Sequence, residues 1–579
     1  MIQLFMTHLE GLKKDAIKSP IFILLEVVLE LILPLVMTEI VDVAIPNGDV
    51  GYIFKLGLLM VALSLGAMAC GVLSAKYATF ASQGFGANLR QALFNKVQEF
   101  SFADIDRFSS ASLITRMTND VNQMTMMLNM GLRMLFRAPA MLLFALVISL
   151  SINAKVASIL LVIIPVMALA IGGIMKICGR LFGIMQKKID GLNNTLQENL
   201  VAIRVVKAFV REPYERKKFE QANEEMMQAG ITVGMRVITI MPVMTLCMNA
   251  ATVGVLYIGG RMVMGGDFLL GDLQAVLNYV FQVLMSVMMV AMTLLNLTRA
   301  QACSKRIKEV LETEPTVADA KDAGEHKLPE AKGKVEFDHV SFRYVTGGTG
   351  DDVLHDISFT VEPGKFVAIV GGTGTGKSSL VNLIPRFYDV TGGRVLVDGL
   401  DVREYPLEEL RGRIGMVLQN NVLFTGTIRE NLMWGRDDAT EQEMIQAAKD
   451  AQAYDFIMAL PDGFDTVLTQ GGTNVSGGQK QRLCIARAML RKPAILILDD
   501  STSAVDSATE AAIRDSFARN LKDTTVIIIA QRISSVRYAD EIFILDDDHI
   551  VGRGTHEQLL AGNAIYQEIY QSQQEGVGA

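Results

Sequence analysis

Residues 371–378 read GGTGTGKS, which fits G-x-x-x-x-G-K-[ST], the pattern of a loop built to hold phosphate. Gly371, Gly372, Gly374 and Gly376, with Thr373 and Thr375 between them, let the backbone wrap an anion without Cβ clashes. Backbone N–H groups and the start of the next helix then face the charge. Lys377 would reach the β and γ phosphates, Ser378 would help hold Mg²⁺, and Ser379 carries the helix onward. The motif needs a strand before it and a helix after it, and KFVAIVG and GKSSLVNLI supply both. Further on, Ser476, Gly477, Gly478 and Gln479 of VSGGQ open the helical stretch KQRLCIARAML, a second helix start suited to an anion. The apolar run ILILDD follows and ends in Asp499 and Asp500, as a buried strand presenting two acids would. Binding of a nucleoside triphosphate follows from these three stretches.

The elements that must position these residues occupy only the second half of the chain. At 579 residues, more than one core is expected. Half the residues are hydrophobic and the mean hydropathy is +0.32, with the apolar residues concentrated before about residue 300. A membrane half followed by a soluble half is the reading. A net charge of -8 without a basic stripe argues against nucleic acid as a ligand. Cys70, Cys178, Cys247, Cys303 and Cys484 stand singly, so neither a metal site nor a disulfide framework follows. The 32 methionines crowd the first half, where filling apolar helices is the plain reading and an adaptable ligand surface the alternative.

A bilayer span takes roughly 20 apolar residues. The stretches 20–45, 53–80, 133–152, 155–178, 238–260 and 272–297 meet that criterion. The opening 19 residues, with Lys13, Lys14 and Lys18 at helical spacing, read as a retained interfacial helix rather than a cleaved signal. Long, polar, helix-patterned connections at 81–132 and 179–237 gather Lys and Arg, which places them and both termini in the cytoplasm. Glu26 and Glu30 lie four apart inside the first span, on one helix face. A carboxylate there either lines a cavity for cationic or proton-linked cargo or pairs with a neighbouring helix. Residues 313–333 are polar and aperiodic, a linker. The expected division is a membrane domain over 1–310, a linker over 311–333 and a nucleotide-binding domain over 334–579.

The motifs at 371–378 and 470–532 together resemble the nucleotide-binding domain of an ATP-binding cassette (ABC) transporter. FADIDRFSSASLITRMTNDV (102–121) and ENLVAIRVVKAFVREPYERKKF (198–219) resemble the intracellular loops of ABC exporters, whose tips carry short coupling helices, here near Phe102–Phe108 and Val210–Glu215. The resemblance implies an exporter-type domain of six transmembrane helices followed by an α/β P-loop ATPase domain. It implies that Tyr344 stacks on adenine, that Gln419 contacts Mg²⁺ and water, and that Asp499 holds Mg²⁺ through its water shell. Ser476–Gln479 would cover the γ-phosphate bound by the other cassette of a head-to-tail dimer, with Asp506 reaching across it.

Two positions depart from the family pattern. Asp500 stands where the family has the glutamate that serves as general base, and Gln531 where it has a histidine on the γ-phosphate. Aspartate is one methylene shorter, about 1.5 Å, and a base must come within roughly 3 Å of its proton. Glutamine hydrogen-bonds but cannot become cationic. Gln470 also replaces a glutamate that exporters commonly carry before the family signature, which VSGGQ resembles here. With the signature itself nearly intact, this resembles the degenerate-site subunit of a heterodimeric bacterial multidrug-type exporter. Its expected partner is a second half-transporter that keeps the glutamate and the histidine. Drugs, lipids or other amphiphiles are the implied cargo, moved by alternating access across the plasma or inner membrane. An exporter-fold importer, for instance of metal chelates, and an ATP-gated channel or regulator are the other function classes.

Overall fold

The computed structural model describes residues 1–319, 328–344, 352–500 and 505–575. The chain forms two compact units, Met1–Asn95 with Leu113–Glu312, and Lys96–Ser112 with Thr313–Ala579.

The first unit is helical. Its long elements are α1 (Lys13–Glu39), α2 (Val50–Glu99), whose last residues pass into the second unit, α4 (Val121–Ile152), α5 (Ala154–Val201), α6 (Glu212–Ile238), α7 (Ile240–Met264) and α8 (Leu270–Glu312). A short helix, α3 (Phe102–Phe108), lies between α2 and α4 in the chain. Among the described residues, six helices or continuous helix pairs are long and apolar enough to cross a membrane, and they match the six apolar stretches of the sequence. At 1.5 Å per residue, α2 with its 50 residues is roughly 75 Å long. It therefore outruns the ~30 Å hydrocarbon layer, and the polar connections are largely extensions of the spanning helices. Pro20, Pro34, Pro139 and Pro165 sit inside helices, which a packed membrane bundle tolerates. Apolar residues from α1, α4, α5, α7 and α8 make the core, including Val27, Met141, Leu160, Ala251 and Tyr279. The buried Tyr279 hydroxyl donates to the Leu31 carbonyl at 2.6 Å.

The same unit resolves what Glu26 and Glu30 touch. Arg137 of α4 donates to a Glu26 carboxylate oxygen and to both Glu30 oxygens, at 2.8 and 2.7 Å. Of the two readings of these acids, the contacts match pairing with a neighbouring helix. The second Glu26 oxygen, Oε2, is buried without a hydrogen-bond partner and lies where a Cβ on Gly71 would come within 2.9 Å of it.

The second unit takes in α3, although its residues belong by sequence to the membrane half. Ser101 caps α3 in a capping box with Asp104. The buried Asp104 carboxylate also accepts from Thr316 N–H and Oγ1, both at 3.1 Å. Phe102 packs on Phe387 with ring centroids 4.4 Å apart, and Tyr388 donates to Asp106 at 2.7 Å. These contacts, rather than chain proximity, assign 96–112 to this unit.

The remainder is an α/β fold. Strands β1 (Val335–Phe342), β2 (Leu354–Val361), β3 (Phe366–Gly371), β4 (Gly392–Val397), β5 (Leu400–Asp401), β6 (Ile414–Val417), β7 (Gly426–Thr427), β8 (Val467–Leu468), β9 (Ile495–Asp499), β10 (Thr525–Ile529), β11 (Glu541–Asp546) and β12 (His549–Gly554) form three sheets. An antiparallel sheet runs β2-β1-β4-β5, and β7 pairs with β8. The main sheet runs β12-β11-β3-β10-β9-β6, parallel from β11 to β6. Every residue of β9 and β10 is buried, as central parallel strands require. The registers Ile529↔Ile369, Ile529↔Asp499 and Val417↔Leu498 bring the carboxyl ends of β3, β10, β9 and β6 to one edge. Ligands in open α/β sheets bind at that edge.

Candidate nucleotide site

The glycine loop leaves the end of β3 and enters α9 (Lys377–Asn382). Two glycines are required by geometry. A Cβ on Gly371 would lie 2.1 Å from the Leu545 carbonyl of β11, and Gly376 caps α9 at φ +88° with the Val353 carbonyl 2.9 Å from any Cβ. Lys377 is nearly buried and its ammonium lies inside the loop. It donates to the Gly371 carbonyl at 3.0 Å, to the Gly372 carbonyl and to Thr375 Oγ1 at 3.3 Å. Burial pushes its pKa down, against the pull of Asp499 and Asp500. Thr373 and Gly374 at the loop tip are exposed.

Ser378 Oγ donates to Asp499 Oδ1 at 3.0 Å, which ties the loop to the end of β9. Burial pushes the Asp499 carboxyl up, and the Ser378 hydrogen bond opposes it. A hydroxyl and a carboxylate oxygen side by side are hard oxygen donors of the kind Mg²⁺ takes, so the donor set fits that ion. Gln419 is exposed two residues beyond β6. Tyr344 follows β1, and its hydroxyl pairs with Ser379 Oγ at 2.9 Å while its ring meets Tyr388 edge-on, 5.2 Å between centroids. A cavity of about 510 Å³ beside Tyr344 is lined also by Phe342, Tyr388 and, from α3, Asp106.

Asp500 and Gln531 meet. Gln531 Nε2 donates to Asp500 Oδ2 at 3.1 Å. Asp500 holds a left-handed backbone, φ +44°, with its N–H on the Ile529 carbonyl at 3.0 Å. Burial pushes its carboxyl up, with Arg532 and Lys377 opposing. A φ of that sign strains a residue with a side chain.

The signature residues stand at the start of α10 (Gly477–Leu490). Ser476 Oγ accepts from Gln479 N–H at 3.3 Å and Gln479 Oε1 accepts from Ser476 N–H at 2.8 Å, a capping box. Gln479 thus spends its side chain on capping, while Gly477 and Gly478 leave the first turn open. Asp506 caps α11 (Ser507–Asn520), accepting from Thr509 N–H at 3.0 Å and Oγ1 at 2.7 Å, which holds its carboxyl low. Ala504, two residues before it, lies outside the described residues.

At the sheet edge, therefore, Lys377, Ser378, Asp499, Asp500 and Gln531 come together, Tyr344 reaches them through Ser379, and Ser476–Gln479 and Asp506 belong to other helix starts. Sequence reasoning missed Tyr388 and Asp106, whose meeting carries no motif. It also missed Arg137, although an arginine four residues beyond Arg133 in an apolar span was a visible sign.

The chain resembles known proteins over most of its length. A family model described as ABC transporter transmembrane region matches residues 17–287, and one described as ABC transporter matches 354–503. The uncharacterized ABC transporter ATP-binding protein YfiB of Bacillus subtilis is 41% identical over 553 residues, 96% of this chain and 95% of that protein. A protein of Mycobacterium bovis named fatty acid ABC transporter ATP-binding/permease protein is 36% identical over 481 residues, 83% of this chain and 75% of its own length. The solved structure of a bacterial Atm1-family ABC exporter with ATP bound aligns at a TM-score of 0.82 and 26% identity, covering 97% of this chain and 98% of that one.

Proposed function

This chain belongs to the ABC transporters, with a transmembrane region and an ATPase in one polypeptide, and from that premise we propose that it is the degenerate-site half of a two-subunit ATP-driven exporter. The observation that carries the reading is the Gln531–Asp500 hydrogen bond at 3.1 Å. The two departures from the family pattern are one local unit. A carboxylate engaged by an amide, and one methylene short, is a weak acceptor for a proton from water. ATP is held at this site by the glycine loop, by Lys377 on the β and γ phosphates and by Tyr344 against adenine. Ser378, Gln419 and Asp499 would hold Mg²⁺, which neutralises and orients the phosphates when bound.

In this reading Ser476–Gln479 complete the active site of a partner half-transporter that keeps the catalytic glutamate and histidine, and most hydrolysis occurs there. Both termini and the ATPase domain lie on the cytoplasmic side, and α3 and the tip at Val210–Glu215 are the coupling segments. Phe209, Val210 and Tyr214, at and beside that tip, are 73%, 75% and 61% exposed, the apolar surface a coupling segment needs. The name of the mycobacterial relative supports an acyl-chain amphiphile as cargo.

The test is steady-state ATPase activity of the chain alone and co-purified with its partner. The chain alone should be slow. In the pair, Asp500→Asn should change turnover by less than about threefold, whereas removing an acting general base costs 10²–10⁴-fold. Changing Ser476 should be as damaging as changing the partner's glutamate. A fall of a hundredfold or more for Asp500→Asn would make this a catalytic site and end the asymmetric reading.

A further inference from the structure

The strand β10 ends at Ile529, and although the Ala530 N–H still reaches the Ile369 carbonyl at 3.5 Å, the Gln531 carbonyl and the Ile533 N–H beyond it have no ladder partner. They are satisfied from the far end of the chain. Gln573 lies on α12 (Ala564–Glu575), and its side-chain amide makes two bonds with the turn that carries Gln531. Its Nε2 donates to the Gln531 carbonyl at 2.7 Å and its Oε1 accepts from the Ile533 N–H at 2.8 Å. One amide thus spans Arg532 and closes a ring on the backbone either side of it, using both its donor and its acceptor.

The helix that presents Gln573 is itself fixed. Asn563 Oδ1 accepts from Tyr566 N–H at 2.9 Å, and the fully buried Tyr566 pairs through its hydroxyl with His556 Nδ1 at 2.8 Å. Gln567 Nε2 donates to the Leu560 carbonyl at 2.7 Å. Ile569 and Tyr570 pack on the main core. Gln574, next in the chain, is occupied with the Tyr570 hydroxyl at 2.6 Å. The chain of contacts therefore runs from the core through α12 and Gln573 to the Gln531 backbone, and from the Gln531 side chain to Asp500.

We propose that Gln573 is a positioning residue for the nucleotide site. It sets the Gln531 turn, and through it the Gln531–Asp500 pair, without touching nucleotide itself. This rests on the reading that Gln531 and Asp500 stand at the γ-phosphate end of bound ATP. It follows that the C-terminal helix governs how long ATP stays at this site.

Two measurements on the full-length chain in lipid nanodiscs test it, namely deuterium exchange in the segment carrying the Ile533 amide and release of radiolabelled ATP. Gln573→Ala should speed exchange there by about fivefold or more, the loss of one ordinary hydrogen bond, and should shorten ATP retention severalfold with the melting temperature unchanged. Gln573→Glu keeps the acceptor for Ile533 and loses the donor to Gln531. It should leave Ile533 protected yet still shorten retention, a split that a merely structural role does not produce. Should Gln573→Ala fail to fold, Gln573→Glu reads the same two quantities. Gln531→Ala is the control for the underlying reading. If Gln531→Ala shortens retention and neither Gln573 variant does, the positioning role is overturned while the reading of Gln531 stands. If Gln531→Ala leaves retention unchanged, the reading of Gln531 fails and the positioning role falls with it. Unchanged exchange in Gln573→Ala overturns the clamp itself.

Discussion

Removing Arg137 should damage this protein far more than removing the three charges that meet there together. Arg137 is held by Glu26 and Glu30, and the three side chains are 20%, 14% and 29% exposed. Leucine at 137 would leave two carboxylates one helical turn apart inside a membrane helix with no cation. Breaking a buried pair by removing one partner costs about 3–5 kcal/mol, and a lone acid at the bilayer centre about 2.5–3.5 kcal/mol by insertion scales. The two ranges meet at a loss of about 3 kcal/mol. For a unit of this size that lowers the apparent melting midpoint by roughly 5 °C. Replacing all three residues, as Glu26→Gln, Glu30→Gln and Arg137→Met, removes the desolvation cost along with the attraction. That variant should melt within about 2 °C of the parent, because buried ion pairs are often neutral against apolar replacements. The assay is thermal denaturation in detergent followed by size-exclusion chromatography, with transport of a cationic and a neutral amphiphile measured in parallel. If Arg137→Leu melts with the parent while Glu26→Gln selectively abolishes transport of the cationic amphiphile, the acids face cargo and the pairing argument is refuted.

Asp104 accepts from Ser101 N–H at 2.9 Å, Ser101 Oγ at 2.7 Å and both Thr316 groups at 3.1 Å while 2% exposed, so Asp104→Ala should free α3. A loss of about 2–3 kcal/mol is expected from hydrogen bonds to a charged group, seen as new protease cleavage within 96–112, and unchanged cleavage would refute it. His339 Nδ1 pairs with Asp356 at 2.6 Å, and that hydrogen bond and the carboxylate's charge raise the imidazole's pKa above its usual 6.5. The pair's stabilisation is therefore present below the unfolded value and lost as pH rises through the raised one. Both groups are exposed, so the melting temperature should move little. The slow exchange of the imidazole C2 hydrogen, followed by mass spectrometry against pH, should give a midpoint that Asp356→Asn returns to about 6.5.

The sequence by itself determined the elements. Six runs of apolar residues, each long enough for a bilayer, became six long helices, because a backbone in lipid must satisfy its own hydrogen bonds and length with hydrophobicity suffices to demand it. The strand–glycine loop–helix at 366–382 was equally legible, since burial, turn and helix start are all local properties. The structure adds the caps Ser101, Ser476 and Asp506, each holding a residue three positions on, which the sequence analysis did not single out as caps. Tertiary structure alone decided which polar groups meet. Glu26 and Glu30 were visible as intramembrane acids, but Arg137 lies 111 and 107 residues away, and only the packing of α1 on α4 joins them. Asp500 and Gln531 were singled out separately, and the parallel pairing of β9 with β10 makes them one hydrogen-bonded unit. Gln573 carried no signal at all, being one glutamine among several on α12. Periodicity fixes which face of an element is apolar, whereas a buried or loop-end polar group finds its partner through the register and packing of elements far apart in the chain, and no local pattern encodes that distance.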